Sequence, residues 1–319
     1  MCIRDRYKGE YKEAKFSADQ INVELIHKSI SFEEFRSIIS EYSFLQDDLI
    51  GDEVGIPLYF LGKLAKTNGL KVVQVGEGAD ELFYGYEHWL RFAKLYKRIP
   101  KFNSISSQNN FKSHRANLLF NIIQNNNPFP GGAIGFNLAQ IKELVEFDFT
   151  DNSNLINYSD NLWQDYLSRE DFSITKWMTL IDLKIRLPEL LLMRMDKLSM
   201  QSGVEARVPF LDHRIVEFVL SLPENIIFDL NKTKPLLKDL STRHIPEKVL
   251  SRKKQGFRAP ISNWIQKDPN YFLDKIHEFN LNYNFFDPTA LSRTLKGGDI
   301  QKIWYIYNLS SWHLSRITK

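Results

Sequence analysis

The sequence reads KVVQVGEGADELF from Lys71 to Phe83, an apolar run that gives way to glycines and then to carboxylates. Val72 to Val75 is rich in β-branched residues and ends at glycine, which is typical of a parallel strand covered on both faces. Gly76 and Gly78 permit tight backbone geometry and the close approach of a ligand, and Asp80 is a suitable N-cap for a following helix. Ligands of open α/β sheets bind at the carboxyl edge of the strands, so we expect chemistry at this turn.

The composition argues against several classes of protein. Lysine and arginine number 42 and aspartate and glutamate 39 among 319 residues, a net charge of +3. So small a charge gives no reason to expect nucleic acid or an anionic membrane as partner. The single cysteine, Cys2, rules out an internal disulfide framework, and no apolar run has the length of a membrane span or the form of an export signal. We therefore expect a cytoplasmic protein whose partners must be inferred from its sites.

Helix and strand patterns alternate before the opening stretch. Glu10 to Gln20 has helical spacing, and Ile21 to Ile26 alternates like a strand. Ser31 and Glu34 form a capping box at the start of a second helix, and Ile56 to Leu70 predicts a third. This order predicts an α/β fold, a parallel sheet with flanking crossover helices.

The second half of the chain is dominated by helical patterns. Glu81 to Arg98 predicts one helix whose aromatic residues belong to the core, and Glu189 to Met200 predicts another with Pro188 at its first turn. Val204 to Val208 alternates briefly, and Asp212 is placed to cap the next helix. The α/β part is therefore expected to lead into a mostly helical C-terminal half.

Three carboxylates, Glu77, Asp80 and Glu81, crowd the glycine-containing turn. The free amides of a helix N-terminus explain one carboxylate there, but not three. If a polyphosphate binds, Mg²⁺ and a lysine must bridge the like charges, and Asp80 is then the candidate metal ligand. The alternative is one capping acid and two solvated acids.

Further segments resemble the motifs of the asparagine synthetase family. Its long signature resembles LPELLLMRMDKLSM from Leu187 to Met200 followed by GVEARVPFLD from Gly203 to Asp212, its second motif resembles VVQVGEGADELF from Val72 to Phe83, and a third resembles Lys234 to Leu237 with Arg252 to Pro260. All three occur in the family's order. The resemblance extends from about Glu10 to Leu314 and implies one synthetase-like domain over residues 1–319, with an adenine nucleotide alpha hydrolase-like fold.

The resemblance implies a ligase that uses ATP and Mg²⁺. In that family the carboxylate of aspartate attacks the α-phosphorus to form an acyl-adenylate and pyrophosphate, and ammonia derived from glutamine then displaces AMP. The resemblance assigns adenylate formation to Glu77 and neutralisation of the pyrophosphate to Lys254. It assigns the contacts with the nucleotide to Val75, Gly76, Gly78 and Asp80.

Four charged residues of the signature are open to two interpretations. Asp196 is an unfavourable residue inside a helix and is therefore expected to have a partner, either the substrate or a structural arginine. Glu205, Arg207 and Asp212 either contact substrate or form ion pairs that tie a helix to the sheet, and we favour the structural interpretation.

The chain also departs from the family pattern. The family's Ser-Gly-Gly-x-Asp-Ser nucleotide loop and its N-terminal glutaminase domain are not found, and residues 1–6 do not lead into the fold, so we expect an amino-terminally truncated fragment of low activity. Val75 stands where the family usually has serine, which weakens the expectation that aspartate is the substrate. Alternatives are an amidotransferase for a sugar acid or a lactam-forming acid, and a non-catalytic remnant.

Overall fold

The computed structural model describes residues 8–101, 111, 113–131, 135–145, 154–252, 256–257 and 259–317. These residues are mostly helical, and the chain divides into two compact units. Unit 1 comprises Met1–Val75, Leu190–Arg207 and Ser241–Lys319, and unit 2 comprises Gly76–Glu189 and Val208–Leu240. The chain therefore passes twice from unit 1 into unit 2 and back.

Unit 1 contains the two strands found in the described part of the chain. Strand β1 (Val72–Gln74) pairs in parallel with strand β2 (Glu205–Arg207), with Val73 opposite Ala206. The helices of this unit are Lys8–Gln20, Phe32–Leu45, Gly55–Thr67, Met193–Met200, Glu247–Leu250, Ile261–Lys267, Pro269–Tyr283, Pro288–Lys296 and Ile300–Ile317.

The core of unit 1 lies around its last helix. Ile300–Ile317 packs against Phe32–Leu45 and Pro269–Tyr283, and Trp304 and Tyr307 on this helix are fully buried. Burial of large aromatic side chains supplies much of the stability of such a helical layer. This helix agrees with the mostly helical C-terminal half predicted from the sequence.

The described residues of unit 2 form helices and no strand. Its elements are Ala79–Leu82, Glu87–Arg98, His114–Ile123, Leu138–Leu144, Asn154–Leu167, Ile174–Ile181, the first part of the π-helix Asp182–Leu192, the 3₁₀ turn Pro209–Leu211, His213–Ser221, Glu224–Ile227 and most of Pro235–Ser241. Trp89, Trp163 and Trp177 are fully buried in its core, and the indole nitrogen of Trp177 donates to the carbonyl of Phe129 over 3.0 Å. The aromatic stripe predicted as core is confirmed, but the single helix predicted from Glu81 to Arg98 is wrong, because the chain forms two helices there, Ala79–Leu82 and Glu87–Arg98.

Several local predictions hold. Ser31 caps helix Phe32–Leu45: its hydroxyl accepts from the Glu34 amide over 3.1 Å, and its own amide donates to the Glu34 carboxylate over 2.9 Å. Asp212 caps helix His213–Ser221 by accepting from the Arg214 amide over 3.0 Å.

Other predictions are wrong. The strand expected at Ile21–Ile26 does not form; Ile21 and Val23 are exposed, because apolar alternation without a neighbouring strand gives the backbone no hydrogen-bonding partner. Pro188 lies inside the π-helix rather than at the first turn of a new helix. The α/β expectation is met only by the parallel pairing of β1 and β2, since the described chain has no other strand and is mostly helical.

Among the described residues, no helix combines the length and the apolar character needed to cross a bilayer.

Candidate functional site

The glycine-containing turn after β1 opens unit 2. Gly78 has a φ of 88° and is the N-cap of the short helix Ala79–Leu82. A Cβ at Gly78 would overlap the side chain of Leu211, so glycine is required both for the backbone conformation and for this close approach. The turn of one motif therefore lies against the GVEARVPFLD segment. The prediction that Asp80 caps the helix is wrong, because the left-handed Gly78 begins it and Asp80 lies within it.

Asp80 forms an ion pair with a lysine from another predicted motif. The Lys234 ammonium lies 2.9 Å from Asp80 Oδ1, and both side chains are about three-quarters buried, at 26% and 23% exposed. The Gly85 amide donates to the Asp80 carbonyl over 2.8 Å. A Cβ at Gly85 would overlap Asp80 Oδ1 and lie 2.5 Å from Lys234 Cε, so the ion pair occupies the space that a side chain at 85 would need.

The backbone beside this ion pair is strained. Tyr84 and Lys234 are both in the left-handed region, with φ of 58° and 51°, and the Lys234 amide donates to the Tyr84 carbonyl over 3.3 Å. For residues with a Cβ this conformation costs on the order of 1 kcal/mol or more, and it persists where the surroundings fix it. Such strain is typical of functional sites.

Glu81 is buried in a polar cluster. Its carboxylate accepts a hydrogen bond of 2.5 Å from the Tyr86 hydroxyl and lies 3.6 Å from Arg186 Nη1, which in turn donates to Asp182 over 3.0 Å. Thr179 Oγ1 donates to the Glu81 carbonyl over 3.1 Å. Burial and the charge of Glu81 raise the pKa of the Tyr86 hydroxyl well above its ordinary value, so this hydroxyl keeps its proton and donates. The alternative of one capping acid and two solvated acids is therefore wrong for Glu81, because this residue is 1% exposed.

The remaining residues of the turn are more accessible. Gly76 is exposed, and a Cβ there would meet no atom within 4 Å; Glu77 is half-buried. The space at Gly76 suits the approach of a nucleotide to the backbone, as the sequence predicts. Its role and that of Glu77 stay predictions.

The described residues hold no group of three or more potential metal-ligating side chains. Mg²⁺ usually keeps several waters and takes only one or two carboxylates together with substrate phosphates, so a dedicated cage is not needed to bind it. Asp80 fits that sparse requirement by type, but its carboxylate already faces Lys234. The assignment of Asp80 to Mg²⁺ stays a prediction.

In helix Met193–Met200 of unit 1, ion pairs are formed by residues other than Asp196, for which the sequence predicted a partner. Asp196 is exposed in helix Met193–Met200, and no hydrogen bond or ion pair joins its side chain to another described residue. Its neighbour Arg194 is buried and forms an ion pair with Asp52, and Lys197 lies 3.2 Å from Asp47. Since Arg194 pairs with Asp52, it is not the structural arginine, and the choice between substrate and another arginine as the partner of Asp196 stays a prediction.

Glu205, Arg207 and Val75, at or beside the ends of the strands in unit 1, form local contacts. Glu205 and Arg207 form an ion pair of 2.8 Å on the exposed face of β2, which is not a link between a helix and the sheet. The Val75 amide donates to the Arg207 carbonyl over 2.9 Å. This amide is used in strand pairing, so only other atoms of Val75 are left for the predicted contact with a nucleotide.

Lys254 lies outside the described residues. Arg252, before it in the chain, donates to Ser17 Oγ over 3.2 Å and to the Glu13 carbonyl over 3.1 Å, which attaches this part of unit 1 to helix Lys8–Gln20.

Sequence reasoning missed Asp182, Arg186 and the Asp52–Arg194 pair. Asp182 and Arg186 are four residues apart, the spacing at which opposite charges meet on a helix, so this part of the cluster carried a local signal. The pairing of Arg186 with Glu81 and of Arg194 with Asp52 joins residues far apart in sequence and carried none.

Comparison with known proteins agrees with these motifs. The family model described as asparagine synthase matches residues 3–314. Asparagine synthetase [glutamine-hydrolyzing] 1 of Bacillus subtilis is 28% identical over 98% of this chain, which covers 51% of that protein. A putative asparagine synthetase of Mycobacterium tuberculosis is 29% identical over 81% of this chain and 40% of its own length. The chain thus spans about half the length of the curated relatives it matches, or less. Since the family match spans residues 3–314 of the 319, this chain belongs to the asparagine synthase family.

Proposed function

We propose that this chain is the synthetase part of an ATP-dependent amide-forming ligase. In the proposed reaction the carboxylate of aspartate attacks the α-phosphorus of ATP, the bond to the β-phosphate oxygen breaks, and pyrophosphate leaves. Ammonia then attacks the acyl carbon of the adenylate, and AMP leaves as asparagine forms. The observation that carries the proposal is the family match across residues 3–314. The match includes the glycine-containing turn from Gly76 to Glu81, called the GEGADE turn below.

The geometry of the turn supports a nucleotide at this place. Gly76 gives open access to the backbone, and Gly78 turns the chain sharply into helix Ala79–Leu82. Lys234 brings a positive charge to within 2.9 Å of Asp80. A lysine at a turn that must accept a polyphosphate can exchange its carboxylate partner for a phosphate oxygen, because both are anionic oxygen acceptors.

Each proposed site residue has a distinct task. Glu77 assists formation of the adenylate, Gly76 and Gly78 let the backbone approach the phosphates, and Asp80 orients Lys234. Mg²⁺, when bound with ATP, supplies positive charge that offsets the phosphates. Lys254 is proposed to neutralise the departing pyrophosphate.

The substrate acid and the completeness of the enzyme are also proposals. The relatives named above are glutamine-hydrolysing asparagine synthetases, which favours aspartate as the acid and glutamine as the source of ammonia. Val75 departs from the serine of the family pattern, which favours as second candidate a related ligase for a sugar acid or a lactam-forming acid. We propose that the chain is a fragment with low activity of its own, in a cytoplasmic protein that binds small molecules only.

Titration of the chain with Mg-ATP tests the proposal. We expect weak binding and little pyrophosphate release with aspartate, and both should rise when the gene's upstream coding sequence is included. Tight binding and rapid release by the chain alone would overturn the fragment proposal. Absence of both activities in the extended protein, with aspartate and with other acids, would overturn the ligase proposal and favour a non-catalytic remnant.

The variant Glu77→Gln tests the proposed catalytic carboxylate in the extended protein. The change keeps the size of the side chain and removes its charge, so we expect pyrophosphate release to fall by about 100-fold or more with the melting temperature nearly unchanged. Glu87→Gln, an exposed acid at the start of helix Glu87–Arg98, is the matched control. Equal rates for Glu77→Gln and the parent would refute the role.

A further inference from the structure

We propose that Arg186 is a positioning residue for the GEGADE turn, acting through Glu81. The inference rests on the proposed function for its consequence in nucleotide binding, but its structural basis lies wholly within unit 2. Arg186 lies directly before Leu187, the first residue of the predicted signature, so no motif match assigns it a role.

The argument begins with the burial of two acids. Glu81 is 1% exposed and Asp182 is fully buried, and Arg186 Nη1 faces both, at 3.6 Å and 3.0 Å. Two carboxylates with little access to water repel each other unless a cation lies between them. Arg186 is that cation among the described residues, and its side chain is 16% exposed.

The cluster acts on the turn because Glu81 belongs to helix Ala79–Leu82. This helix has a single turn and no side-chain cap, so its own hydrogen bonds hold it weakly. Glu81 is fixed through its carboxylate by Tyr86 and Arg186 and through its carbonyl by Thr179. Fixing Glu81 fixes its neighbour Asp80, which carries the ion pair with Lys234.

Tyr86 makes the arrangement more rigid. Its hydroxyl donates to the same Oε1 atom that faces Arg186, and its ring centroid lies 4.9 Å from the Arg186 guanidinium carbon. Arginine suits this place better than lysine, because a planar guanidinium stacks on a ring while it faces carboxylates. The geometry thus predicts that lysine replaces Arg186 only in part.

Hydrogen exchange in the 319-residue chain without nucleotide tests the inference. We expect Arg186→Met to speed exchange of the amides in 79–86 by about tenfold or more, while exchange in helix Glu87–Arg98 changes less than about twofold. Arg186→Lys should give an intermediate value. Arg169→Met is the matched control, since Arg169 also lies over a tyrosine ring, 5.6 Å from the centroid of Tyr166, but is exposed. Unchanged exchange in 79–86, or an equal increase in both regions, would overturn the inference.

A milder variant covers the case in which Arg186→Met does not fold. Tyr86→Phe removes the hydrogen bond to Glu81 and keeps the ring, and it should increase exchange in 79–86 selectively. The same variants are titrated with Mg-ATP, and we expect a drop in affinity of about tenfold wherever exchange in 79–86 has risen. Affinity that stays at the wild-type value despite faster exchange would overturn the positioning role. If the wild-type chain binds no Mg-ATP, the proposal that this chain holds nucleotide fails, and exchange alone decides the inference.

Discussion

Lys234 and Asp80 form an ion pair of 2.9 Å that joins two sequence motifs lying far apart along the chain. Both residues are constrained. The backbone of Lys234 has a φ of 51°, and the Asp80 carboxylate lies against Gly85. An interaction held in this way is specific, since a small displacement of either residue breaks it.

Removal of the ammonium should destabilise unit 2. We expect Lys234→Met to lower the free energy of unfolding by about 1–3 kcal/mol, because a mostly buried carboxylate loses an ion-pair partner. Urea denaturation measures the change. Lys238→Met, one turn later in helix Pro235–Ser241, removes a lysine whose ammonium lies 3.4 Å from Thr233 Oγ1 and serves as control. Equal losses in both variants would contradict a special role for Lys234.

The glycines of the turn should respond differently to alanine. Gly85→Ala places a methyl group on Asp80 and Lys234, so we expect a loss of several kcal/mol of stability or displacement of the ion pair. Gly76→Ala meets open space and should leave the melting temperature nearly unchanged. If Gly76 faces a nucleotide as proposed, the same variant weakens Mg-ATP binding. A strongly destabilised Gly76→Ala would contradict the geometry.

The buried ion pair of unit 1 should matter far more than the exposed one. Arg194→Met leaves Asp52 without its buried cation, and we expect a loss of about 3–5 kcal/mol in unfolding free energy. Arg207→Met removes the partner of Glu205 on an exposed strand face and should have no measurable effect on the denaturation midpoint. Comparable midpoints for the two variants would show that burial does not set the cost here.

The capping box should make stability depend on pH in the acid range. Hydrogen bonds from the Lys28 ammonium and from the Ser31 amide lower the pKa of Glu34 from its ordinary 4.5. Because the folded-state pKa is below the unfolded one, the contribution is complete above the ordinary value and is lost as pH falls through the folded-state value. Glu34 is partly exposed, so the loss should stay below about 1 kcal/mol.

The variant Glu34→Gln isolates this effect. Glutamine at the third helical position still closes the capping box but does not titrate in this range. We expect the wild type to exceed the variant in melting temperature at about pH 6 and to lose that advantage at about pH 3. A difference that is the same at both pH values would contradict the assignment.

Local patterns predicted the parts of the fold that depend on near neighbours. The Ser31 capping box, the Asp212 cap and the helix Lys8–Gln20 need only residues a few positions apart. The apolar run at β1 also predicted a parallel strand, because its glycine boundary and β-branched residues are local features, but the expected cover on both faces is wrong, since Val72 and Gln74 are exposed. Such signals are read directly from spacing.

The rest depended on partners distant in sequence. Nothing near Glu81 in the sequence indicates that Arg186 neutralises it. The π-helix Asp182–Leu192, which contains Arg186, continues through Pro188, where the sequence predicted the start of a new helix. The strand expected at Ile21–Ile26 failed for the converse reason, since its alternation has no neighbouring strand among the described residues. In the candidate site, the motif residues were therefore predictable and the groups that hold them were not.

The division of the chain into interleaved segments sets an order for folding during synthesis. Unit 1 needs residues from both ends of the chain, since helix Phe32–Leu45 packs on Ile300–Ile317. Every segment of unit 2 leaves the ribosome before that last helix does, so unit 2 can fold first. The apolar surface of Phe32–Leu45 then stays uncovered until helix Ile300–Ile317 has been synthesised, and that interval is when we expect this protein to depend on chaperones.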